Sequence, residues 1–598
     1  MLFLGDFKGK SFHSLLLRRR SMRGRLHLFF ILSAFVAGMF SCRGESVAAE
    51  TSMTSPNGQH SAKLFVNDAG EIIYTANYGK TAILTNSRLG FLLDNGQSLG
   101  QGFQLTNVPE KKSVDTSWKS VAGERSEIPD CYNEYQFSFR NESSPVKRMD
   151  IVFRLYEEGV AYRYCFPQDD NPKGIVFSGE LSEFSFVGDW PCWAVYSAQG
   201  EYRQVNLSEV KRGCERPLLI EIPDGPAVSI GEAGLIDFAR MKFQPVSQKP
   251  NTLSAVLDGK ATITTPYVTP WRFVMVADRP GQLVERNYLL KNLNEPCAIQ
   301  DTSWIKPGKV IREVTLTTVG GKQCVDFAVQ QNIQYIEFDA GWYGPEDSDE
   351  SDATSVTLDE RRSKGPLDLE EVIRYATEKG VGVLVYVNRQ ALERQLDDLL
   401  PLYQKWGVKG IKYGFVTVGP QKATHWLHDA IAKTAKHKMV VDVHDEYRVT
   451  GWERTYPNLL TVEGIRGNEE MPTPEMNCMT ALTRTLCGAG DYTHCWSTPR
   501  IKTTHAHQLA TAVVFFSPLQ FVYWYDRPAT YQGEPELEFW KAIPTVWDET
   551  RVLHDKVGQY VTFARRTNDE WFLGTLNAVE QRTLEIPLDF LEIGRAHV

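Results

Sequence analysis

The feature that most constrains the fold is a regular alternation of short apolar segments with helical segments between about residues 314 and 525. The apolar segments are rich in β-branched residues, as expected for strands that are buried on both faces of a parallel sheet. Helical patterns separate them, and the count approaches eight, which predicts a (β/α)₈ barrel with its chemistry at the carboxyl ends of the strands. The predicted strands lie at 314–316, 335–339, 383–388, 410–414, 439–445, 460–464 and 521–525.

Two β-rich regions flank this predicted barrel. In the first, the runs Ile151–Tyr156 and Gly159–Tyr164 are joined by a Glu-Glu-Gly turn, and Gly, Pro, Asn and Asp recur at short intervals. This pattern is typical of a large β-sandwich. After Gly558 the period-two alternation returns, which indicates the start of a carboxyl-terminal β-domain that is cut short. We therefore predict a sandwich over 50–300, the barrel over 301–555 and a β-domain over 556–591.

The first 49 and the last seven residues are not expected to belong to the folded domains. Arg18–Arg20 precede the apolar run Leu26–Phe40, which is too short for a comfortable membrane span and is typical of a removed signal peptide. We predict that residues 1–49 are this signal and that the protein is exported, to a periplasm or outside the cell. Anchoring as a lipoprotein at Cys42 is disfavoured by the bulky residues before it. The final run, Glu592–Val598, is expected to derive from a sequencing adapter.

The amino-acid composition limits the classes of molecule that the protein is expected to bind. Lys and Arg number 65 against 74 Asp and Glu, so the net charge of −9 argues against a nucleic-acid partner. No stretch after the signal is long and apolar enough to predict a stable membrane span. Aromatic residues are numerous (Phe 30, Tyr 24, Trp 14), which suits both a packed core and stacking on sugars. We expect a monomer or a homodimer.

Carboxylates follow several predicted barrel strands. Such groups cannot all ionise at close range unless a cation is present or a proton is retained. A hard cation such as Ca²⁺ and a general acid with a raised pKa both satisfy this condition, and a pair of carboxyl groups is what glycoside hydrolysis uses. The alternative is that these acids are solvated loop residues or helix caps. The polar residues at strand ends are Asp339, Asn388, His444, Asp445, Glu446, Glu463, Glu469 and Asp491.

Several long motifs resemble those of glycoside hydrolase family 97. They are His444–Gly451, Arg454–Asn458, Glu463–Glu469 and Gly490–Thr493, together with shorter matches at 153–164 and 270–272. The resemblance implies an amino-terminal β-super-sandwich, a catalytic (β/α)₈ barrel and a small carboxyl-terminal β-domain. It also implies an exo-acting α-glucosidase or α-galactosidase that binds Ca²⁺ and takes oligosaccharides.

The resemblance also implies roles for individual residues. Glu469 corresponds to the acid that protonates the glycosidic oxygen. Glu463, Asp445 and Glu469 correspond to calcium ligands, and Glu201 is the candidate ligand from the sandwich. Asp445, with Glu446, is then the candidate base that activates water. The remaining candidates for sugar contact are His444, Asp339, Trp342, Asn388, Arg448 and Asp491.

Two positions depart from the family pattern. Retaining members carry an aspartate nucleophile where this chain has Gly414, and inverting members carry a base glutamate where it has Asn388. Glycine cannot form a glycosyl-enzyme, and an amide is no base. We therefore predict hydrolysis with inversion. The alternative is a carbohydrate-binding or catalytically degenerate protein that lacks its base.

Overall fold

The computed structural model describes residues 50–496, 498–531 and 533–591. The predicted signal peptide and the predicted adapter run lie outside these residues. The described chain comprises an amino-terminal β-region, a parallel barrel with helices, and a small carboxyl-terminal sheet. This is the three-part architecture that the sequence predicted.

The amino-terminal region is built from antiparallel strands, as its short alternating segments require. An eleven-stranded sheet runs through its centre, and smaller sheets of four, four and three strands pack around it. The two strands predicted at 151–164 pair in this large sheet, with Ile151 opposite Tyr164. The strands are β1 (Thr51–Thr54), β2 (His60–Val66), β3 (Ile72–Tyr78), β4 (Thr81–Arg88), β5 (Phe91–Leu93), β6 (Ser98–Leu99), β7 (Gln104–Leu105), β8 (Lys112–Lys119), β9 (Glu127–Arg140), β10 (Arg148–Tyr156), β11 (Gly159–Phe166), β12 (Gly174–Glu180), β13 (Glu183–Ser185), β14 (Pro191–Ala194), β15 (Arg203–Asn206), β16 (Leu218–Glu221), β17 (Ala227–Ala233), β18 (Met241–Pro245), β19 (Thr252–Leu257), β20 (Ala261–Thr264), β21 (Tyr267–Val268) and β22 (Trp271–Ala277).

The barrel follows two short linking helices. Its strands are all parallel and lie in the order β28-β27-β26-β25-β24-β23-β29. The strands are β23 (Gly308–Glu313), β24 (Tyr335–Phe338), β25 (Gly382–Asn388), β26 (Gly410–Val416), β27 (Val440–Asp445), β28 (Leu459–Val462) and β29 (Leu519–Phe521). The helices are α1 (Pro280–Glu285), α2 (Leu289–Asn292), α3 (Thr318–Gln330), α4 (Leu369–Glu378), α5 (Arg389–Trp406), α6 (Gln421–Lys436), α7 (Pro474–Thr483), α8 (His505–Val514) and α9 (Leu537–Ala542).

The barrel differs from the prediction at its two ends. The first strand lies at 308–313, and the segment predicted as that strand, 314–316, forms the loop after it. Among the described residues seven strands pair, and an irregular segment closes the gap between β28 and β29. In this segment Asp491 N–H donates to Val462 O (2.8 Å) and His494 N–H donates to Phe521 O (3.0 Å). The backbone of 491–494 thus takes the place of an eighth strand.

Three apolar clusters hold the described residues together, and the smallest lies in the barrel around Val310, Leu384 and Phe521. Of the two larger clusters, one fills the sandwich. The other runs through the barrel and reaches residues of both flanking regions, such as Trp271 and Phe563.

The carboxyl-terminal sheet is antiparallel and begins at Glu549, earlier than the predicted boundary at 556. Its strands are β30 (Glu549–Lys556), β31 (Tyr560–Thr567) and β32 (Glu570–Asn577). Within the described residues, no helix has both the length and the apolar character that a bilayer crossing demands.

Candidate active site

The floor of the barrel mouth carries a buried lysine and a half-buried arginine beside one aspartate. Asp339, just after β24, lies 3.2 Å from Arg312 Nη1 and 3.5 Å from Lys412 Nζ. Burial opposes its ionisation, but these two cations hold the pKa of the Asp339 carboxyl below its usual value. Burial likewise works against the charge on Lys412, whose pKa is nevertheless raised by Asp339 and Glu337. Asp339 is therefore an ionised acceptor with cationic donors beside it, which suits recognition of sugar hydroxyl groups.

A histidine surrounded by carboxylates lies next to this floor. His444 Nε2 is 2.8 Å from Asp491 Oδ2 and 3.1 Å from Asp442 Oδ2, and its Nδ1 is 3.3 Å from Glu463 Oε2. Burial and Lys412 disfavour its positive charge, but Asp442 and Glu463 outweigh them and raise the pKa of His444 well above its ordinary value. His444 is thus an imidazolium that links three acids.

The predicted acid and one predicted calcium ligand come together at the carboxyl end of β28. Ligand atoms of His444, Glu463 and Glu469 all lie within 4.8 Å of one another. Asp445 joins them through its backbone, because its N–H donates to Glu463 Oε2 (2.8 Å). Burial raises the pKa values of Glu463 and Asp445, and the Glu469 charge adds to both shifts. Carboxylate oxygens crowded in this way fit a hard cation such as Ca²⁺, which prefers oxygen ligands.

Glu201 and Glu446 lie further out. Glu201 is exposed and contacts Arg466 at 3.4 Å, so it stands at the rim on the sandwich side. The Glu446 side chain is also about half exposed, and it lies 3.9 Å from Arg240. The structure therefore brings Glu463, Glu469 and Asp445 together, and it leaves Glu201 and Glu446 outside that group.

The space beside Gly414 is filled by the side chain of a neighbouring strand. A β-carbon added at Gly414 would overlap the ring of Tyr386, which projects from the neighbouring strand β25. Tyr386 is 4% exposed, and its hydroxyl has no hydrogen-bond partner among the described residues. A larger residue at 414 would thus require the Tyr386 ring to move.

Three predicted sugar contacts have structural partners. Asn388 Oδ1 accepts the Gln390 N–H (2.9 Å) and so caps helix α5, as asparagine commonly does. Trp342 is fully buried, and its indole N–H donates to Tyr386 O (2.8 Å). Arg448 is buried too, and it donates to the backbone oxygens of Gly464, Ala198 and Arg216. Trp342 therefore supports the mouth from below, and Arg448 joins the barrel to the sandwich.

Sequence reasoning missed several residues of the mouth. Trp524 stacks on His444, with ring centroids 6.2 Å apart, and the Lys412 ammonium lies 4.2 Å from the centroid of the Trp524 ring. Glu337 is fully buried inside β24, and neither of its carboxylate oxygens has a hydrogen-bond partner among the described residues. The available signal was a charged residue within an otherwise apolar strand, as in Ile411-Lys412-Tyr413 and Ile336-Glu337-Phe338.

Comparisons with known proteins agree with this architecture. Residues 53–296, 304–465 and 546–598 match the profiles "Glycosyl-hydrolase 97 N-terminal", "Glycoside hydrolase 97" and "Glycosyl-hydrolase 97 C-terminal, oligomerisation". A retaining alpha-galactosidase from Bacteroides thetaiotaomicron is 29% identical, over 90% of this chain and 89% of that protein.

Solved structures give the same result. A family 97 enzyme from Pseudoalteromonas sp. strain K8, in complex with acarbose, superposes with a TM-score of 0.83 at 26% identity, over 91% of this chain and 92% of that one. A beta-arabinopyranosidase shares the fold, with a TM-score of 0.76 at 21% identity over 88% and 91% of the two chains. The three matching profiles span the sandwich, the barrel and the carboxyl-terminal sheet, and the chain belongs to glycoside hydrolase family 97.

Proposed function

We propose that the protein is an exo-acting, calcium-dependent α-glycoside hydrolase that releases terminal α-galactosyl or α-glucosyl residues with inversion of configuration. The observation that carries the proposal is the group at the carboxyl end of β28, where Glu469 and Glu463 share a site with His444. Glycosidases need one carboxyl group to protonate the leaving oxygen and a second to activate water or attack the sugar. The relatives named as alpha-galactosidases support the galactosyl arm of the proposal.

In this mechanism Glu469 donates its proton to the glycosidic oxygen. Asp445 is the base that takes a proton from the attacking water. Asp339 and Lys412 orient the terminal sugar from the floor of the mouth. Glu463, Glu469 and Asp445 would hold Ca²⁺, which supplies positive charge that polarises hydroxyl groups and lowers the pKa of its ligands.

Inversion is proposed because no carboxylate projects from position 414. Retention requires a nucleophile about 5–5.5 Å from the acid, whereas inversion requires about 6.5–9.5 Å so that water fits between the two groups. The Tyr386 ring overlaps the space into which a side chain at 414 would extend. The names of the relatives point the other way, since the Bacteroides protein is named a retaining enzyme. The stereochemical course is thus the sharpest test.

The test is proton NMR of the first sugar released from 4-nitrophenyl α-galactoside and α-glucoside, recorded before mutarotation. We expect the β-anomer. An initial α-anomer would refute inversion, and no turnover on any α-glycoside would favour the carbohydrate-binding alternative. Glu469→Gln is the control: we expect a loss of about 10²–10⁴-fold on disaccharides and a smaller loss on the aryl glycosides, because a general acid matters less to good leaving groups. Equal losses on both would instead assign Glu469 to calcium binding alone.

We also propose that the protein works outside the cytoplasm and acts as a homodimer. The basic and apolar segments before residue 50 support export. The match of residues 546–598 to a family domain described as serving oligomerisation supports the dimer. Amino-terminal sequencing of the mature protein and light scattering test the two statements.

A further inference from the structure

An exposed aromatic ring stands directly above the site. Phe415 is 57% exposed, whereas Ile411, Tyr413 and Val416 of the same strand are buried. Burying a phenylalanine stabilises a fold by about 1.5–3 kcal/mol, so this side chain forgoes that gain. A single exposed apolar residue is ordinary, and the case for function therefore depends on how Phe415 is held and what surrounds it.

Phe415 is held in a backbone conformation that bulky residues rarely adopt. Its φ is +53°, in the left-handed region, where a large side chain is strained. Two hydrogen bonds fix it there: its N–H donates to Asp445 Oδ2 (2.6 Å), and its carbonyl accepts from Arg389 Nε (3.3 Å). Strain of this kind persists where the surroundings over-determine it, and it clusters at ligand sites. The ring is thus fixed relative to the Asp445 carboxylate.

The ring lines an open cavity of about 500 Å³, which is within the usual range for small-molecule sites. Asp445 lines the same cavity. Gln199, Arg389 and Glu446 add polar groups around the aromatic face. An apolar face with polar groups at its edge complements a pyranose ring, which has apolar C–H faces and a rim of hydroxyl groups.

We propose that Phe415 is the stacking platform for the second pyranose ring of the substrate, the ring that follows the terminal sugar. This inference rests on the proposed exo-acting hydrolysis and specifies its substrate class as α-linked disaccharides and longer oligosaccharides. The terminal sugar takes the buried floor at Asp339 and Lys412, and Phe415 lies at the exposed rim. The next ring along an oligosaccharide therefore meets Phe415.

The test compares substrates with and without a second ring. Melibiose and maltose carry one, whereas α-galactosyl and α-glucosyl fluoride carry only the terminal sugar. For Phe415→Ala we expect kcat/KM on the disaccharide to fall about tenfold or more, mainly through KM, since stacking on an aromatic ring contributes about 1–3 kcal/mol. On the fluoride the fall should stay below about threefold.

Matched variants separate stacking from mere apolar contact. Phe415→Leu keeps an apolar side chain without a flat face and should lose disaccharide activity as the alanine variant does. Phe415→Tyr keeps the ring and should stay within about twofold of the parent. Melting temperatures of all three show that each variant folds. Equal losses on disaccharide and fluoride, or an undiminished alanine variant, would overturn the proposal.

A binding measurement keeps this test apart from the hydrolysis proposal. Glu469→Gln, with and without Phe415→Ala, is titrated with the disaccharide and followed by tryptophan fluorescence. A weaker dissociation constant in the double variant supports the platform even if the parent proves not to be a hydrolase. Equal dissociation constants refute the platform even if hydrolysis is confirmed.

Discussion

Buried ionisable groups are paired with opposite charges in the sandwich, but much less completely in the barrel mouth. In the sandwich, Arg272 is 1% exposed and contacts Glu180 at 2.5 Å and Glu232 at 3.0 Å, and Arg216 also pairs with Glu232. In the mouth, carboxylates crowd around fewer cations, and both oxygens of Glu337 lack a hydrogen-bond partner within the described chain. A buried carboxylate that is paired within the protein keeps its charge. Burial instead raises the pKa of Glu337 well above its usual value, so this unpaired carboxyl group keeps a proton.

The largest expected effect on stability is in the sandwich. Arg272→Met should lower the free energy of unfolding by about 3–5 kcal/mol, because it leaves the buried Glu180 without its partner and takes one of two arginines away from Glu232. The measurement is urea unfolding followed by circular dichroism. Arg140→Met is the matched control, since Arg140 forms its ion pairs with Glu142 and Asp170 at the surface. The control should change stability far less, and equal effects would remove the distinction between the two regions.

Glu158 is a buried carboxyl group of the sandwich whose pKa is raised, and it predicts that the stability of the fold depends on pH. Burial raises the pKa of Glu158 to about 7, although Tyr288 donates a hydrogen bond to it. The folded state therefore keeps a proton that the unfolded state loses, so this stability is full below pH 4.5 and is lost as the pH rises through 7. The loss is about 3 kcal/mol, from 1.36 kcal/mol per pKa unit. Glu158→Gln should flatten the melting temperature over this window. An unchanged profile would contradict the assignment.

The smallest of these effects concerns the mouth. Removing calcium with a chelator should lower the melting temperature and activity together, and added Ca²⁺ should restore both. A ligand at 100 times its dissociation constant stabilises the native state by about 2.7 kcal/mol. Glu463→Gln should abolish this response, whereas Arg140→Met should retain it. If chelation changes neither quantity, the crowded carboxylates of the mouth are held by shared protons.

The sequence predicts the barrel well where its strands are apolar, and poorly where they carry charge. The run 383–388 contains only apolar residues before Asn388, and the structure has a strand there. Strand β23 contains Lys309 and Arg312, which point to buried partners, so its pattern does not look like a buried strand. Its position was therefore predicted a few residues too late.

In the site, too, some features could be predicted from the sequence and others could not. The sequence places Glu463 and Glu469 at strand ends, and their shared role came from the family resemblance; in the structure both follow β28. The contact of His444 with Asp491 joins residues 47 positions apart, and the cover of Gly414 by Tyr386 depends on how two neighbouring strands align. Neither can be read from local pattern, since each is set by the closure of the barrel.

The overlap of Tyr386 with the space above Gly414 bears on how such a chain can evolve. An aspartate placed at 414 would meet the ring before it could reach a substrate. A smaller residue placed first at 386 would leave a void, at a cost of about 3–5 kcal/mol. Either single substitution therefore gives a strained or a poorly packed barrel mouth. A carboxylate at 414 thus requires two coordinated substitutions, one at 414 and one at 386.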